Sequence, residues 1–226
     1  MNFNHLSIGS GLLVIGFASG FILSNFLNRN SGNLEPSTSL SSAGTGAKIV
    51  TDSNGMLPDI AAVIDAARNQ PNDFGAQMKA AELYIQIQRS DRAIEFLDKA
   101  AAIGKLDFEK LVTLGNSYFD LREYNRARPF YEKAKVLNPT DVDVRADLGA
   151  TYVEGQPSDA QKGINEYTEA LKIKPNHEPT LHNLGMAQLK IGDYGGASNT
   201  LLRLEAAAPN NELAKRLRDA ISAAKP

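Results

Sequence analysis

The side chains best equipped for chemistry lie in one short run, "HEPTLH", from His177 to His182, where two imidazoles bracket a carboxylate. A zinc site of the HExxH kind needs its histidines four apart on one helix face, with the glutamate as general base. Here they are five apart, about 140° round a helix, and Pro179 stands between them. They cannot share a face, so His177 reads as a loop residue and His182 as part of a helix surface. With no cysteine there is no thiolate nucleophile, disulfide framework, zinc ribbon or lipidated N-terminal cysteine. There is no GxxxxGK phosphate loop and no glycine fingerprint following a strand. The carboxylates fall in repetitive helical contexts without a partnered His or Lys set, which marks solvated faces. No catalytic, metal-ligating or cofactor-binding residue emerges, and the chain is not expected to be an enzyme.

The elements that carry these residues are bounded by composition. A chain of 226 residues with 42% hydrophobic residues can build one ordinary domain with a core and have chain to spare. Its formal charge of -2 and pI of about 6.0 supply no bulk attraction to phosphate backbones, so nucleic acid is not an expected partner.

The N-terminus is a different material. From Leu6 to Asn28 no residue is charged. At about 1.5 Å per residue this run covers roughly 34 Å, enough for a bilayer core of about 30 Å. Residues 1–28 therefore read as a transmembrane anchor. A cleaved signal peptide would want a positive n-region and a shorter apolar run, and Met1 to His5 holds neither Lys nor Arg. Within the span Gly16, Gly20 and Ser24 recur every four residues and offer one face on which a second helix could pack, giving a homodimer through the anchor. Residues 29–57, rich in Ser, Gly, Thr and Asn, read as a flexible linker with an average reach of roughly 30 Å.

From Pro58 onward the apolar periodicity is helical, and it repeats. Registers beginning at Phe74, Phe108, Val142 and Glu178 have lengths of 34, 34, 36 and 34 residues. The second is the stretch beginning "FEKLVTLGNSYFDLREYNRARPFYEKAKVLNP". Its seventh and eighth positions, Leu114-Gly115, correspond to Ala80-Ala81, Leu148-Gly149 and Leu184-Gly185. Tyr118 corresponds to Tyr84, Tyr152 and Gln188. In the second halves Ala93, Ala127, Gly163 and Ala197 align, as do Leu97, Tyr131, Tyr167 and Leu201. Pro139, Pro175 and Pro209 close three registers, and Lys105 takes that place in the first. Small residues at the eighth and twentieth positions let paired helices approach, and the large ones fill the gaps between pairs. Pro129 is expected near the first turn of its helix, where no amide donor is needed. The two extra residues of the third register, with Gly155 and Pro157, predict an enlarged turn.

This pattern resembles the tetratricopeptide repeat family over residues 74 to 211. The resemblance implies an all-α, right-handed solenoid of helical hairpins, with four repeats at 74–107, 108–141, 142–177 and 178–211. Residues 58–73 read as an N-terminal capping helix. Residues 212–226 read as a C-terminal one, with Leu213, Leu217, Ala220 and Ile221 on its apolar face. The family's co-chaperone modules hold a C-terminal carboxylate with Lys, Asn and Arg, and only Asn116 matches that clamp here, so the mode is not expected. One anchor, a tether and a short repeat array are together similar to bacterial envelope assembly proteins, including the repeat module of cytochrome c biogenesis.

In a stack of helix pairs the first helices line a concave groove, and their fifth, ninth and twelfth positions share one face. These are Met78, Glu82 and Ile85; Val112, Asn116 and Phe119; Ala146, Ala150 and Val153; His182, Met186 and Leu189. Glu109, Asp120, Asp143, Asp147 and Glu154 would give the groove an acidic rim, suited to a client segment with Lys or Arg among apolar anchors. The function read from this is a membrane-tethered adaptor or chaperone that binds a protein or peptide segment and supports assembly of another protein. The alternative is a structural scaffold that self-associates through its repeats and anchor. Arg29 and Lys48, both after the span, favour a cytoplasmic repeat domain by the positive-inside tendency. The likeness to envelope proteins favours a periplasmic one, which is the reading adopted.

Overall fold

Asp73, Asp107 and Asp141 recur every 34 residues, and each starts a helix. Their carboxylates accept hydrogen bonds from the amides of Ala76, Lys110 and Val144 at 2.8, 2.9 and 2.8 Å. Each satisfies an amide that the first turn leaves without a partner, worth about 1 kcal/mol per cap. Asp159 and Asp193, also 34 apart, cap two further helices through the amides of Lys162 and Gly196.

The computed structural model describes residues 60–224, which form ten helices and no strand. They are α1 (Ile60–Asn69), α2 (Phe74–Gln86), α3 (Ser90–Ala101), α4 (Phe108–Asp120) and α5 (Tyr124–Leu137). The remainder are α6 (Val142–Glu154), α7 (Ala160–Ile173), α8 (Glu178–Lys190), α9 (Tyr194–Ala207) and α10 (Glu212–Ala224). The anchor with Gly16, Gly20 and Ser24, the linker, and the ends of both capping segments lie outside the described residues. Among the described residues no helix is long and apolar enough to cross a membrane.

Helices α2 and α3, α4 and α5, α6 and α7, and α8 and α9 pack as hairpins, and each hairpin packs on the next. α1 closes one end against α2, and α10 closes the other against α8 and α9. The first helix α8 also touches α6 on one side and the terminal helix α10 on the other. The buried side chains form two clusters along the stack. Leu97, Leu114, Tyr118, Tyr131 and Leu148 serve the first half, and Tyr167, Leu181, Leu184, Leu204 and Leu217 the second.

The small residues have a steric cause. A Cβ on Gly115 would stand 2.8 Å from the Tyr131 ring, and one on Gly149 2.7 Å from the Tyr167 ring. On Gly163 it would strike Val153 and stand 2.8 Å from the Gly149 carbonyl oxygen. Each tyrosine therefore lies across a notch made by the eighth residue of its own hairpin. Gly185 does the same for Leu217 of the terminal helix.

The turns inside the hairpins share one mechanism, with one variation. In three of them the second residue after the helix is left-handed, at Gln88 (φ 58°), Arg122 (φ 61°) and Gly192 (φ 79°). The next amide then bonds back to the carbonyl of Tyr84, Tyr118 or Gln188 at 2.8, 2.9 and 2.8 Å. In the third hairpin the turn spans five residues, 155–159, instead of three. The amide of Asp159 still reaches the Tyr152 carbonyl, at 2.8 Å. The two extra residues are thus looped out without shifting the packing of α7 on α6. Arg128 holds this loop from the preceding repeat, donating to the Thr151 carbonyl at 2.7 Å and lying over the Tyr152 ring.

Pro129 departs from expectation. It is the sixth residue of α5, beyond the first turn, where its missing amide would have bonded the Asn125 carbonyl. Asn125 is exposed, so water can satisfy that oxygen and the helix continues to Leu137.

Candidate functional site

The first helices carry the candidate face, and α4, α6 and α8 differ in what they expose. Met78, Val112, Ala146, Ala150 and Val153 are buried, at 5, 8, 3, 9 and 5% exposure. These five pack against neighbouring helices, because the same stripe serves both the helix contact and the groove; they present almost nothing to a ligand. Ile85, Asn116, Phe119, His182 and Leu189 are half-buried, while Glu82 and Met186 are exposed. The accessible face is therefore narrower and more polar than a mostly apolar groove.

Two of its members are already engaged. Asn116 accepts a hydrogen bond from the Tyr131 hydroxyl at 2.8 Å, so its carbonyl oxygen orients a core tyrosine. Phe119 meets Tyr124 edge-on with ring centres 5.0 Å apart and Tyr131 at 6.5 Å. That ring is in part a packing residue.

The rim divides by charge balance. Asp143 lies 3.4 Å from Nε2 of His177, whose Nδ1 is 2.8 Å from the Thr180 hydroxyl. Glu154 lies 3.7 Å from Lys190, which also donates to the Val153 carbonyl at the end of α6. Burial first, and then the carboxylates of Glu154 and Asp147, keep the Tyr167 hydroxyl protonated. By contrast Asp120 makes no hydrogen bond or ion pair among the described residues, and neither does the carboxylate of Glu82. Glu109 is exposed and its side chain is likewise unpaired among them.

Desolvation marks the same two carboxylates. Burial pushes Asp120 up to about 6, although its side chain remains open to solvent. Burial also raises Glu82, partly offset by the charge of Lys79, and lowers His182, partly offset by its bond to Asn183. All three lie on first helices. A neutral His182 and two reluctant carboxylates make this face one that would gain from an incoming cation.

His177 and His182 serve different neighbours. The first sits before α8 with Asp143 and Thr180, and the second pairs with Asn183 at 3.3 Å. The thirteenth positions are Gln86, Asp120, Glu154 and Lys190; Asp120 and Glu154 were expected on the rim, whereas Gln86 and Lys190 were missed. The opposite charges of Glu154 and Lys190 at equivalent positions of successive repeats were present in the sequence, and they signal the link between adjacent first helices.

Comparison with known proteins agrees with this architecture. Family models described as tetratricopeptide repeat match residues 74–103, 108–141 and 154–221. Among solved structures, the chain is similar to YrrB, described as a TPR protein with an unusual peptide-binding site. Identity is 19%, over 71% of this chain and 81% of that one, with a TM-score of 0.59. It is also similar to MamA, at 23% identity over 68% of this chain and 81% of that one, with a TM-score of 0.55. Likeness at this level is one of fold. No curated protein matches the sequence.

Proposed function

We propose that this chain, whose residues 74–103, 108–141 and 154–221 are tetratricopeptide repeats, is a membrane-tethered adaptor that binds a client segment on the inner face of its first helices. The observation that carries the reading is Asp120, exposed at the end of a first helix and without a side-chain partner among the described residues. A Lys or Arg of the client placed there restores what the fold withholds, while Ile85, Met186 and Leu189 offer apolar contact. The peptide-binding site attributed to YrrB is a property of that protein; support here comes from the side chains of this one. Residues 1–28 supply the tether and residues 29–57 the reach, with the repeats on the periplasmic side.

A self-associating scaffold is the competing reading. It is favoured by Leu202, Ile191 and Tyr194, which are 63, 48 and 39% exposed in the last repeat.

The test is recovery of crosslinked partners from cells carrying the full chain, the Glu82→Lys/Asp120→Lys variant, or Lys174→Glu as a control in the turn after α7. A partner retained by the control and lost from the double variant supports the inner face. Equal recovery from all three excludes it, and recovery of this chain alone establishes the scaffold. Protease added to spheroplasts should digest the repeats; protection until lysis would place them in the cytoplasm.

A further inference from the structure

The connection between the first and second hairpins differs from the others. It spans six residues, 102–107, where 138–141, 174–177 and 208–211 each span four. Lys105 stands where Pro139, Pro175 and Pro209 stand elsewhere. Gly104 is left-handed at φ 48°, with open space around it. The longer path leaves a hollow of about 430 Å³ open to solvent, within the size range of small-molecule sites (about 300–1,000 Å³). Its walls are Ala101, Leu106, Leu111, Phe130, Val136 and Leu137. Val136 and Leu137 are 78 and 56% exposed, large apolar side chains with little covering them.

Two cations complete the lining. Lys105 and Lys133 both border the hollow, both are exposed, and neither has a hydrogen bond or ion pair among the described residues. Most of the wall comes from α3, α5 and the connection. It is therefore a separate feature from the inner-face residues of the first helices.

We propose that this hollow binds a single-chain anionic amphiphile of the fatty-acid type, its carboxylate toward Lys105 and Lys133 and its hydrocarbon against the apolar wall. Charge selects an anion, since both lysines that border the hollow lack a partner among the described residues. The wall selects the body: apart from the two lysines its side chains carry no hydrogen-bonding group. The wall thus offers a peptide backbone no side-chain hydrogen bond, whereas an alkyl chain needs none.

A diazirine-bearing dodecanoate, irradiated with the full chain in nanodiscs, tests this directly. Labelling should map to residues 101–111 and 130–137, and be competed by laurate but not by dodecyltrimethylammonium. Lys105→Glu/Lys133→Glu should reduce it about tenfold. Both positions are exposed, so the thermal transition should be unchanged. Labelling elsewhere, or labelling that survives the double variant, overturns the proposal. Stronger competition by an acetylated Leu-Leu-Asp peptide than by laurate overturns it in favour of an acidic-apolar peptide. A fall in solution mass on Val136→Asp overturns it in favour of a second copy of this chain.

Discussion

A Cβ placed on Gly149 would lie 2.7 Å from the ring of Tyr167 and 3.1 Å from the carbonyl oxygen of Gly163. Neither neighbour can retreat, because Tyr167 is fully buried and Gly163 is itself pressed against α6. Gly149→Ala would gain about 1 kcal/mol of helix propensity but overpack this crossing, at a typical cost of about 1–3 kcal/mol. We expect net destabilisation in urea unfolding. A stabilised variant would show that the helices can separate.

Glu166 of α7 is paired with Lys135 of α5 at 2.6 Å and Arg145 of α6 at 3.1 Å, with only 18% of its side chain exposed. Removing it strands two partly buried cations from two other helices. Glu166→Ala should therefore cost about 1–3 kcal/mol. The Glu169–Lys172 pair one turn away is exposed, and Glu169→Ala should change stability by less than about 0.5 kcal/mol. Equal effects in denaturant titrations would refute the distinction.

Asp120 predicts an unusual pH dependence. Its carboxyl titrates at about 6 in the folded chain and at about 3.9 unfolded. Between those values the folded state holds a proton that the unfolded state has released. Its contribution to stability therefore falls as pH rises from about 4 to about 6, and is level above. Asp120→Asn should be more stable than the parent at pH 7 and equal to it near pH 3.5. Solvent screening makes the difference smaller than the shift alone implies. Thermal melts at the two pH values decide it; an advantage of the parent at pH 7 would contradict the desolvation.

Phe119 and Met186 should behave differently when truncated. Phe119 packs on Tyr124 and Tyr131, so Phe119→Ala should lower stability by about 1–3 kcal/mol. Met186 is 37% exposed, so Met186→Ala should leave the melting temperature nearly unchanged while weakening client binding several-fold. If Met186→Ala melts early and binds normally, the side chain is part of the core.

Much of the fold was legible because the repeat acts through sterics. Leu114-Gly115 and Leu148-Gly149 in phase announce where helices cross, and the two-residue insertion near Gly155 announces a longer turn. The inner face was less legible. Positions five, nine and twelve point one way, but whether the next helix covers them depends on hairpin spacing, which periodicity does not carry. Hence Ala150 and Val153 are buried while Met186 is exposed. Pairings across repeats, such as Lys190 with Glu154, need the stacking register before they can be seen. The hollow beside Lys105 was legible only as a missing proline.

The inner face is tested most directly by a photo-crosslinking residue placed in the full chain at Met186, on that face, or at Leu202, exposed on α9. We predict a discrete client adduct from position 186, none from position 202, and loss of the first when Asp120→Lys is added. An adduct from 202 alone, or one from 186 that persists with Asp120→Lys, would contradict capture of a cationic client segment on the first helices.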